Sequence, residues 1–458
     1  MTRRVVVVGA GITGLTVALR LRRHPDPFDV VVLEASDVTG GVIRSARVGD
    51  LEVEAGPDSF LARKPWAVEL CEDLGLGGEL VGQGATAAQI LTPAGLRAIP
   101  PGRLGIVASA GDLWRWDGMS VASRLRAIAE PLVPARRVEG DESIGSLARR
   151  RLGRGATEAI VAPLLGGLSA GDVDRLSVRA TSPELARWER EDGSLRRGVR
   201  RAMPAPAERD RGTPFVTVRG GLYRLVDALV ERIGPDRVRT GVAVRGVGRD
   251  GDGFAVSTDA APERADVVVV TTPAPAAAAT LRDVAPDAAE ILGGIRTTST
   301  AVAFFVYPEG TGRLLPDASG FVAQRRLGLP ITAATAISRK WPDPAFGSRA
   351  VVRAFEGGDG LEDEVDRPDH EVMGRAAAAL SGVYGLPGPE HASLVRWPDA
   401  MPQYDVGHLD RIRDLRASLP EGLHVAGSAI GGVGIPDRIR EATDLVERIT
   451  VSGYPDET

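Results

Sequence analysis

The first 34 residues contain the pattern that most restricts the fold of this chain. A run of four valines leads directly into the spacing G-x-G-x-x-G, formed by Gly9, Gly11 and Gly14. A helical apolar pattern follows, and then a second strand pattern that ends at Glu34, twenty residues after Gly14. This order of strand, turn, helix, strand and acid predicts an α/β unit that binds a dinucleotide.

Each part of this unit has a physical role. Gly9 permits the tight turn, Gly11 lets the backbone approach a diphosphate, and Gly14 lets the helix pack closely on the strand. The helix N-terminus offers free N–H groups to the phosphates. Glu34 is expected to accept hydrogen bonds from the ribose hydroxyls.

Two glycine-containing segments follow Glu34 closely, where a nicotinamide-binding domain would continue with regular βα units. They are GGVIRS, residues 40–45, and EAGPDS, residues 54–59. The first resembles the second glycine motif of the flavoprotein oxidases, in which backbone and an arginine approach the diphosphate and the flavin. Arg44 is that arginine in this interpretation, and a solvated surface position for it stays open. These segments favour a flavin over a nicotinamide cofactor.

The other end of the chain repeats the arrangement of strand, glycine turn and helix. Leu423–Ala426 predicts a short strand, Ser428–Gly434 is rich in glycine, and Pro436 begins an amphipathic helix. In flavoproteins such a corner holds the pyrimidine edge of the flavin, where the helix dipole favours negative charge. We therefore expect both chain ends to meet at one cofactor. Val244 is placed at a strand edge that brackets the adenine.

Composition limits the class of protein. The 458 residues exceed the size of a single hydrophobic core, so we expect two or three domains. A net charge of −5 gives no reason to expect a nucleic-acid partner. The single Cys71 excludes a disulfide framework, and the five histidines lack metal-like spacing. The sequence has no run of about 18 apolar residues, so we expect a cytoplasmic protein, with a peripheral membrane contact left open.

The middle of the chain predicts two further parts. An Arg-rich helical pattern from Ala108 to Ala202 indicates a helical lobe, and strand patterns between Thr297 and Phe355 indicate a second sheet. The predicted fold class is α/β, with a discontinuous Rossmann-like FAD-binding domain, a mixed-sheet substrate domain and the lobe. The assigned ranges are 1–85, 215–275 and 415–458 for the FAD-binding domain, 86–107, 176–214 and 276–414 for the substrate domain, and 108–175 for the lobe.

Five segments carry a resemblance that runs nearly end to end. They are GAGITGL, GPDSFLARK, PLLGGLSAGDVDRLSV, MPQYDVGH and GVGIPDRI. With these segments the chain resembles the protoporphyrinogen and coproporphyrinogen oxidases, a haem-pathway branch of the flavin amine-oxidase superfamily. Its charged lobe is closer to the soluble bacterial members, which typically act on coproporphyrinogen III. Leu168 and Ser169 stand where members often have an aromatic or Ile-Tyr pair, so this chain has no ring for stacking there.

The resemblance implies sites for both ligands. The segment Ala162–Val178, too rich in glycine for a good helix, would lie beside the flavin and the tetrapyrrole. There Leu165, Gly166 and Gly167 would allow a close approach to a flat ring. Lys64, one of only two lysines, would lie at the substrate cavity beside Arg63, and a surface position for it stays open. The predicted cofactor-binding residues are Gly9, Gly11, Ile12, Thr13, Gly14, Glu34, Ala35, Gly41, Val42, Arg44, Gly56, Pro57, Asp58, Ser59, Val244, Trp397, Gly427, Ser428, Val433, Gly434 and Ile435.

The function implied is an FAD-dependent, six-electron oxidation of coproporphyrinogen III, with dioxygen reoxidising the flavin. We assign no catalytic base, because the chemistry mainly requires the ring to be oriented over the flavin. The alternatives are a protoporphyrinogen IX oxidase, a flavin amine oxidase and a non-enzymatic flavin or tetrapyrrole carrier. With only 4% aromatic residues, an aromatic cage for an amine is poorly supplied. A transient contact with the next haem-pathway enzyme is also expected.

Overall fold

The structure is a computed structural model that describes residues 2–136, 140–203 and 213–451. Its strands are β1 (Arg3–Val8), β2 (Phe28–Leu33), β3 (Ser45–Val48), β4 (Leu51–Glu54), β5 (Phe60–Leu61), β6 (Leu80–Gly82), β7 (Gln89–Thr92), β8 (Gly95–Ala98), β9 (Gly102–Arg103), β10 (Ile106–Val107), β11 (Phe215–Val218), β12 (Val238–Arg239), β13 (Val244–Asp250), β14 (Gly253–Thr258), β15 (Glu263–Ala265), β16 (Val267–Val270), β17 (Thr297–Val306), β18 (Gly320–Ala323), β19 (Ile331–Ala336), β20 (Val351–Gly357), β21 (His391–Pro402) and β22 (Leu423–Val425).

The helices of the described chain follow the same numbering. They are α1 (Ile12–Arg22), α2 (Pro65–Asp73), α3 (Ala110–Arg115), α4 (Val121–Ile128), α5 (Ile144–Leu152), α6 (Arg154–Ala156), α7 (Gly167–Ser169), α8 (Val178–Thr181), α9 (Pro183–Asp192), α10 (Leu195–Ala202), α11 (Tyr223–Ile233), α12 (Ala274–Leu281), α13 (Pro286–Gly293), α14 (Ile337–Lys340), α15 (Glu362–Val365), α16 (Asp369–Tyr384), α17 (His408–Ser418) and α18 (Ile435–Val451). A π-helix spans Thr157–Gly166. Within the three described ranges, no helix is both long and apolar enough to cross a membrane.

The first domain is built on a five-stranded parallel sheet in the order β12-β2-β1-β16-β22. Val5–Val8 pair in register with Val267–Val270, and no residue of either run is more than 4% exposed. Such runs are typical of parallel strands that are covered on both faces. Helices α1, α11 and α18 cover one face, and α12, α13 and α17 cover the other. The N-terminal and C-terminal strands therefore share one sheet, as the predicted discontinuous domain requires.

The second domain is a mixed seven-stranded sheet in the order β21-β17-β20-β19-β18-β7-β8. Its pairings are antiparallel except for β18 with β7. Helix α16 packs on one face, and the β3–β4 hairpin of the first domain packs on the other. The second face therefore lies against the segment that follows β4, where part of the cofactor site was predicted.

The third part is a helical lobe with its own core. Trp188 of α9 and Val199 of α10 are fully buried in the same core as Leu147 of α5. On these contacts we propose that the lobe extends to about residue 202 rather than ending at 175.

The π-helix runs into the segment that was expected to be a poor helix. It continues through Pro163 to Gly166, and α7 follows directly. Burial of Ile160, Val161 and Leu165 in the lobe core accounts for this difference, because tertiary packing outweighs low helix propensity.

Candidate functional site

The turn between β1 and α1 has space for a ligand at one glycine and none at another. Gly9 has a φ of +101°, which glycine adopts without strain. A Cβ on Gly14 would lie 2.1 Å from the carbonyl oxygen of Gly9, so helix and strand pack closely there. A Cβ on Gly11 would have no atom within 4 Å. This open space, beside Ile12 and Thr13 at the start of α1, fits the approach of a diphosphate.

Glu34 follows β2 and faces this turn. One carboxylate oxygen accepts the N–H of Ala10 at 2.8 Å, and the other accepts the N–H of Ser36 at 2.9 Å. The backbone therefore orients the side chain, while each oxygen keeps acceptor capacity for a ribose hydroxyl. Ala35 is exposed beside it. This geometry supports the predicted ribose contact.

Glu34→Ala is expected to weaken FAD binding and to leave the fold intact. The lost hydrogen bonds have a charged acceptor and are worth about 1.5–3 kcal/mol, or roughly 10- to 150-fold in dissociation constant. Fluorescence titration of the apoprotein with FAD measures the loss. Glu52→Ala, which changes an exposed residue of β4, is the matched control. An unchanged affinity in folded Glu34→Ala protein would contradict the ribose assignment.

The second glycine segment lies directly on the first. A Cβ on Gly41 would lie 3.4 Å from the Cα of Gly11. Arg44 is half-buried, and its Nη2 donates to the Oγ of Ser36 at 3.1 Å. Its buried Nε has no hydrogen-bond partner in the described structure. Arg44 therefore lies at the dinucleotide corner with a donor still available for an anion.

Segment 56–59 follows β4 at the seam between the two sheets. A Cβ on its glycine would lie 1.8 Å from the carbonyl oxygen of Val42, so the two predicted flavin segments are in direct contact. The carboxylate of Asp58 binds Lys340 and Arg353, each at 2.8 Å. Neither partner of Asp58 was predicted from the sequence. The rarity of lysine was the one signal that could have drawn attention to Lys340.

The turn between β22 and α18 is held by a buried tyrosine. The hydroxyl of Tyr404 accepts the N–H of Gly432 at 2.7 Å and donates to the carbonyl oxygen of Ser428. Glu441 of α18 accepts the N–H of Gly427 at 3.1 Å. These contacts hold the turn in position before a ligand binds. Tyr404 lies in the MPQYDVGH segment, but its contacts became apparent only from the fold.

The remaining predicted cofactor residues lie around these corners. Helix α18 begins at Ile435, one residue earlier than predicted, and Val433 before it is 44% exposed. Val244 begins β13 and is half-buried. Trp397 of β21 donates its Nε1–H to the carbonyl oxygen of Ala55 at 3.2 Å, next to segment 56–59. The indole therefore links the second sheet to the first domain.

The residues predicted to approach a tetrapyrrole lie where the π-helix ends. Leu165 and Gly166 are buried, and a Cβ on Gly166 would lie 2.9 Å from a backbone oxygen. Gly167 is exposed, and a Cβ there would meet only Val322 of β18, at 3.8 Å. Leu168 is 73% exposed. Leu165 and Gly166 therefore serve packing, whereas Gly167 and Leu168 form an accessible apolar surface beside β18.

The predicted substrate cations follow β5. The Nζ of Lys64 binds Asp437 at 2.7 Å, which joins β5 to the first turn of α18. Arg63 is exposed and has no hydrogen bond or ion pair with any described residue. Arg103, Glu184 and Asp437 are its charged neighbours. The structure thus brings Lys64 to the C-terminal corner and leaves Arg63 available to an external anion.

The residues at these corners fit FAD. The open space at Gly11 accommodates a diphosphate, and Arg44 has an unpaired buried donor beside it. Val42 and Val433 leave 46% and 44% of their apolar surfaces exposed, which a flavin ring would cover. FAD would be held by Glu34 at its ribose, by the turn before α1 at its diphosphate and by the turn before α18 at its ring.

Comparison with known proteins places the chain in a family. Residues 12–450 match the model of the family described as flavin containing amine oxidoreductase. Coproporphyrinogen III oxidase of Bacillus subtilis (strain 168) is 32% identical over 458 residues, with 97% of each chain covered. Chloroplastic protoporphyrinogen oxidase of Oryza sativa subsp. japonica is 28% identical and covers 97% of this chain and 88% of its own.

A solved structure has the same fold over its full length. It is the crystal structure of an Exiguobacterium sp. 255-15 protein that is provisionally named a protoporphyrinogen oxidase. The TM-score is 0.87 at 32% identity, with 99% of each chain covered. These similarities confirm the predicted fold class, the oxidoreductase activity class and FAD as the cofactor, and the chain belongs to the flavin-containing amine oxidoreductase family.

Proposed function

We propose that this protein oxidises coproporphyrinogen III to coproporphyrin III, with FAD as the electron acceptor and dioxygen as the final oxidant. The supporting observation is the similarity to a coproporphyrinogen III oxidase over 97% of both chains. That similarity spans the parallel sheet, the seven-stranded sheet and the lobe alike. The reaction removes six protons and six electrons from the substrate, and three dioxygen molecules take them up to form three molecules of hydrogen peroxide.

The residues of the chain have binding and orienting roles in this proposal. FAD, when bound, supplies a two-electron acceptor for each of three rounds of oxidation. Glu34 and the start of α1 would hold the dinucleotide part of FAD. The flavin ring would therefore be positioned by groups that lie far from the reacting carbon of the substrate. Gly167 and Leu168 offer an accessible apolar surface to the macrocycle. No side chain is assigned as a base, because the macrocycle gains aromaticity as its protons leave.

Steady-state kinetics on two porphyrinogens test the substrate. Coproporphyrinogen III has four propionates and protoporphyrinogen IX has two, so cations at the cavity favour the first. We expect kcat/KM to be about tenfold higher for coproporphyrinogen III. A higher value for protoporphyrinogen IX would overturn the substrate assignment. Turnover of amines would indicate an amine oxidase, and FAD binding without turnover of either class would indicate a carrier.

Lys64→Ala and Arg63→Ala test which cation binds a propionate. A partly exposed ion pair contributes about 0.5–1 kcal/mol, so loss of the cation that binds a propionate should raise KM for coproporphyrinogen III roughly two- to fivefold, whereas loss of the other should leave KM near the wild-type value. The effect on protoporphyrinogen IX should be smaller. Arg232→Ala, which changes an exposed residue in the last turn of α11, is the control. An equal rise in KM for both substrates would mean that these residues do not bind the two additional propionates of coproporphyrinogen III.

The cellular location of the protein and its external contacts are part of the same proposal. We propose that the protein acts in the cytoplasm and hands its product to the next haem-pathway enzyme. Trp114, Val121, Leu125 and Leu132 leave about half or more of their apolar surfaces exposed on the lobe. Arg124 lies 5.5 Å from the Trp114 ring centre. This basic, apolar surface supports the peripheral membrane contact that the sequence left open.

A further inference from the structure

Both lysines of the chain bind an aspartate in a segment that fits the flavin. Lys64 binds Asp437 at the start of α18, and Lys340 binds Asp58 in segment 56–59. The chain has 56 basic residues, and all of the others are arginines. The proposed function makes no use of Lys340. Its position therefore needs its own explanation.

Lys340 ends α14 and reaches across the seam between the sheets. Its Nζ lies 2.8 and 3.0 Å from the two carboxylate oxygens of Asp58. The same carboxylate accepts a hydrogen bond from the Trp341 indole at 3.1 Å and from the Ser59 hydroxyl at 2.8 Å. Arg353 of β20 binds it from the other side at 2.8 Å. Asp58 is therefore saturated with donors and has no free lone pair for a ligand.

Solvent is nearly excluded from this cluster. The side chains of Lys340, Asp58 and Arg353 are 13%, 9% and 6% exposed. Burial alone would raise the pKa of Asp58, but the charges of Arg353 and Lys340 outweigh it and hold that pKa well below its usual range. Burial is the main cause of the lowered pKa of Lys340, and Asp58 opposes it. Charge–charge interactions are strong in such an environment.

The cluster contains two cations and one anion. Burial raises the pKa of the neighbouring Glu54 to about 7, so its carboxyl offsets only part of the remaining charge at neutral pH. Arg353 has further partners besides Asp58, because its Nη1 donates to the carbonyl oxygens of Glu54 and Gly56. Lys340 is thus the group that brings the cluster above neutrality. A net positive charge therefore stands at the segment that fits the flavin.

We propose that Lys340 is a positioning residue, which ties segment 56–59 to the seven-stranded sheet and supplies the excess positive charge that stabilises reduced, anionic FAD. A buried cation near a developing negative charge stabilises it more strongly than a solvated one. The inference rests on the proposed function only through the place of FAD.

The test measures the flavin midpoint potential without any porphyrinogen, by equilibrium reduction against a reference dye. Lys340→Met and Lys340→Gln should both lower the potential, because each leaves the cluster without excess charge. Lys340→Arg should keep it near the wild-type value. Asp50→Asn, which removes the ion pair between Asp50 and Arg349 at the same seam, should not change it. A wild-type potential in Lys340→Gln, or a lowered one in Lys340→Arg, would overturn the proposal.

Binding and turnover provide the second measurement. FAD affinity of the neutral variants should stay within about threefold of wild type, because Asp58 keeps its bonds to Arg353 and Trp341. With a substrate that the wild type turns over, kcat should fall about tenfold while KM changes less than about twofold. Weaker FAD binding in the neutral variants, with a wild-type potential of the FAD that stays bound, would assign Lys340 to folding alone and overturn the proposal. An inactive wild type with a measurable potential would instead refute the proposed function.

Discussion

Gly11→Val is expected to abolish FAD binding while the apoprotein remains folded. Gly11 has φ −73° and ψ 174°, a conformation that any residue adopts. Its Cβ would meet no protein atom within 4 Å, so valine costs the apoprotein little. The branched side chain would fill the space that fits the diphosphate. We expect FAD affinity to fall at least about 100-fold, or about 2.7 kcal/mol, in a fluorescence titration.

A second glycine of the same turn provides the contrast. In Gly14→Ala a single methyl group would lie 2.1 Å from the carbonyl oxygen of Gly9. Helix α1 would have to move away from β1, so we expect loss of stability in a thermal melt even without FAD. If Gly11→Val unfolds like Gly14→Ala, or binds FAD as the wild type does, the open space at Gly11 is not the diphosphate site.

Arg151→Met in α5 is expected to destabilise the helical lobe by about 3–5 kcal/mol. Arg151 and Glu130 are both 0% exposed, and the Nε of the arginine lies 2.9 Å from the carboxylate. The guanidinium also donates to the carbonyl oxygens of Val133 and Gly193, and Glu130 accepts the hydroxyl of Ser194 at 2.6 Å. Without Arg151 the buried carboxylate of Glu130 loses its counter-charge, and the carbonyl oxygens of Val133 and Gly193 lose their donor.

Urea denaturation followed by tryptophan fluorescence measures this effect, since Trp188 is fully buried in the lobe core. Arg149→Met is the control on the same helix. Arg149 binds Asp174 at the surface, where their side chains are 38% and 47% exposed, so its loss should cost less than about 1 kcal/mol. Replacing Glu130 and Arg151 together by methionine should restore part of the stability, because no buried charge remains unpaired. Equal costs for Arg151→Met and Arg149→Met would contradict the importance of the buried pair.

Local patterns predicted the parts of the site that depend on a few neighbouring residues. The strand before Gly9, the helix after it and the acid at Glu34 all lie where the spacing indicated. Val5 and Val7 face one side of the sheet, while Val6 and Val8 face the other. A run of β-branched residues such as Val5–Val8 predicts a strand that is buried on both faces, and a glycine such as Gly9 predicts a turn that needs a positive φ. Both depend on steric preferences of the local backbone.

The sequence by itself thus determined the α/β unit at the N-terminus, FAD as the cofactor and the family of the protein, and it predicted that the two chain ends meet at one cofactor. Their joining in one sheet was seen only in the structure. Only the tertiary structure decided that Lys64 binds Asp437, that Lys340 binds Asp58 and that the segment ending at Gly166 is helical. The two lysines pair with residues 373 and 282 positions away in the chain. No local preference encodes such a partner, because the burial that makes an ion pair strong arises only when separate elements pack together.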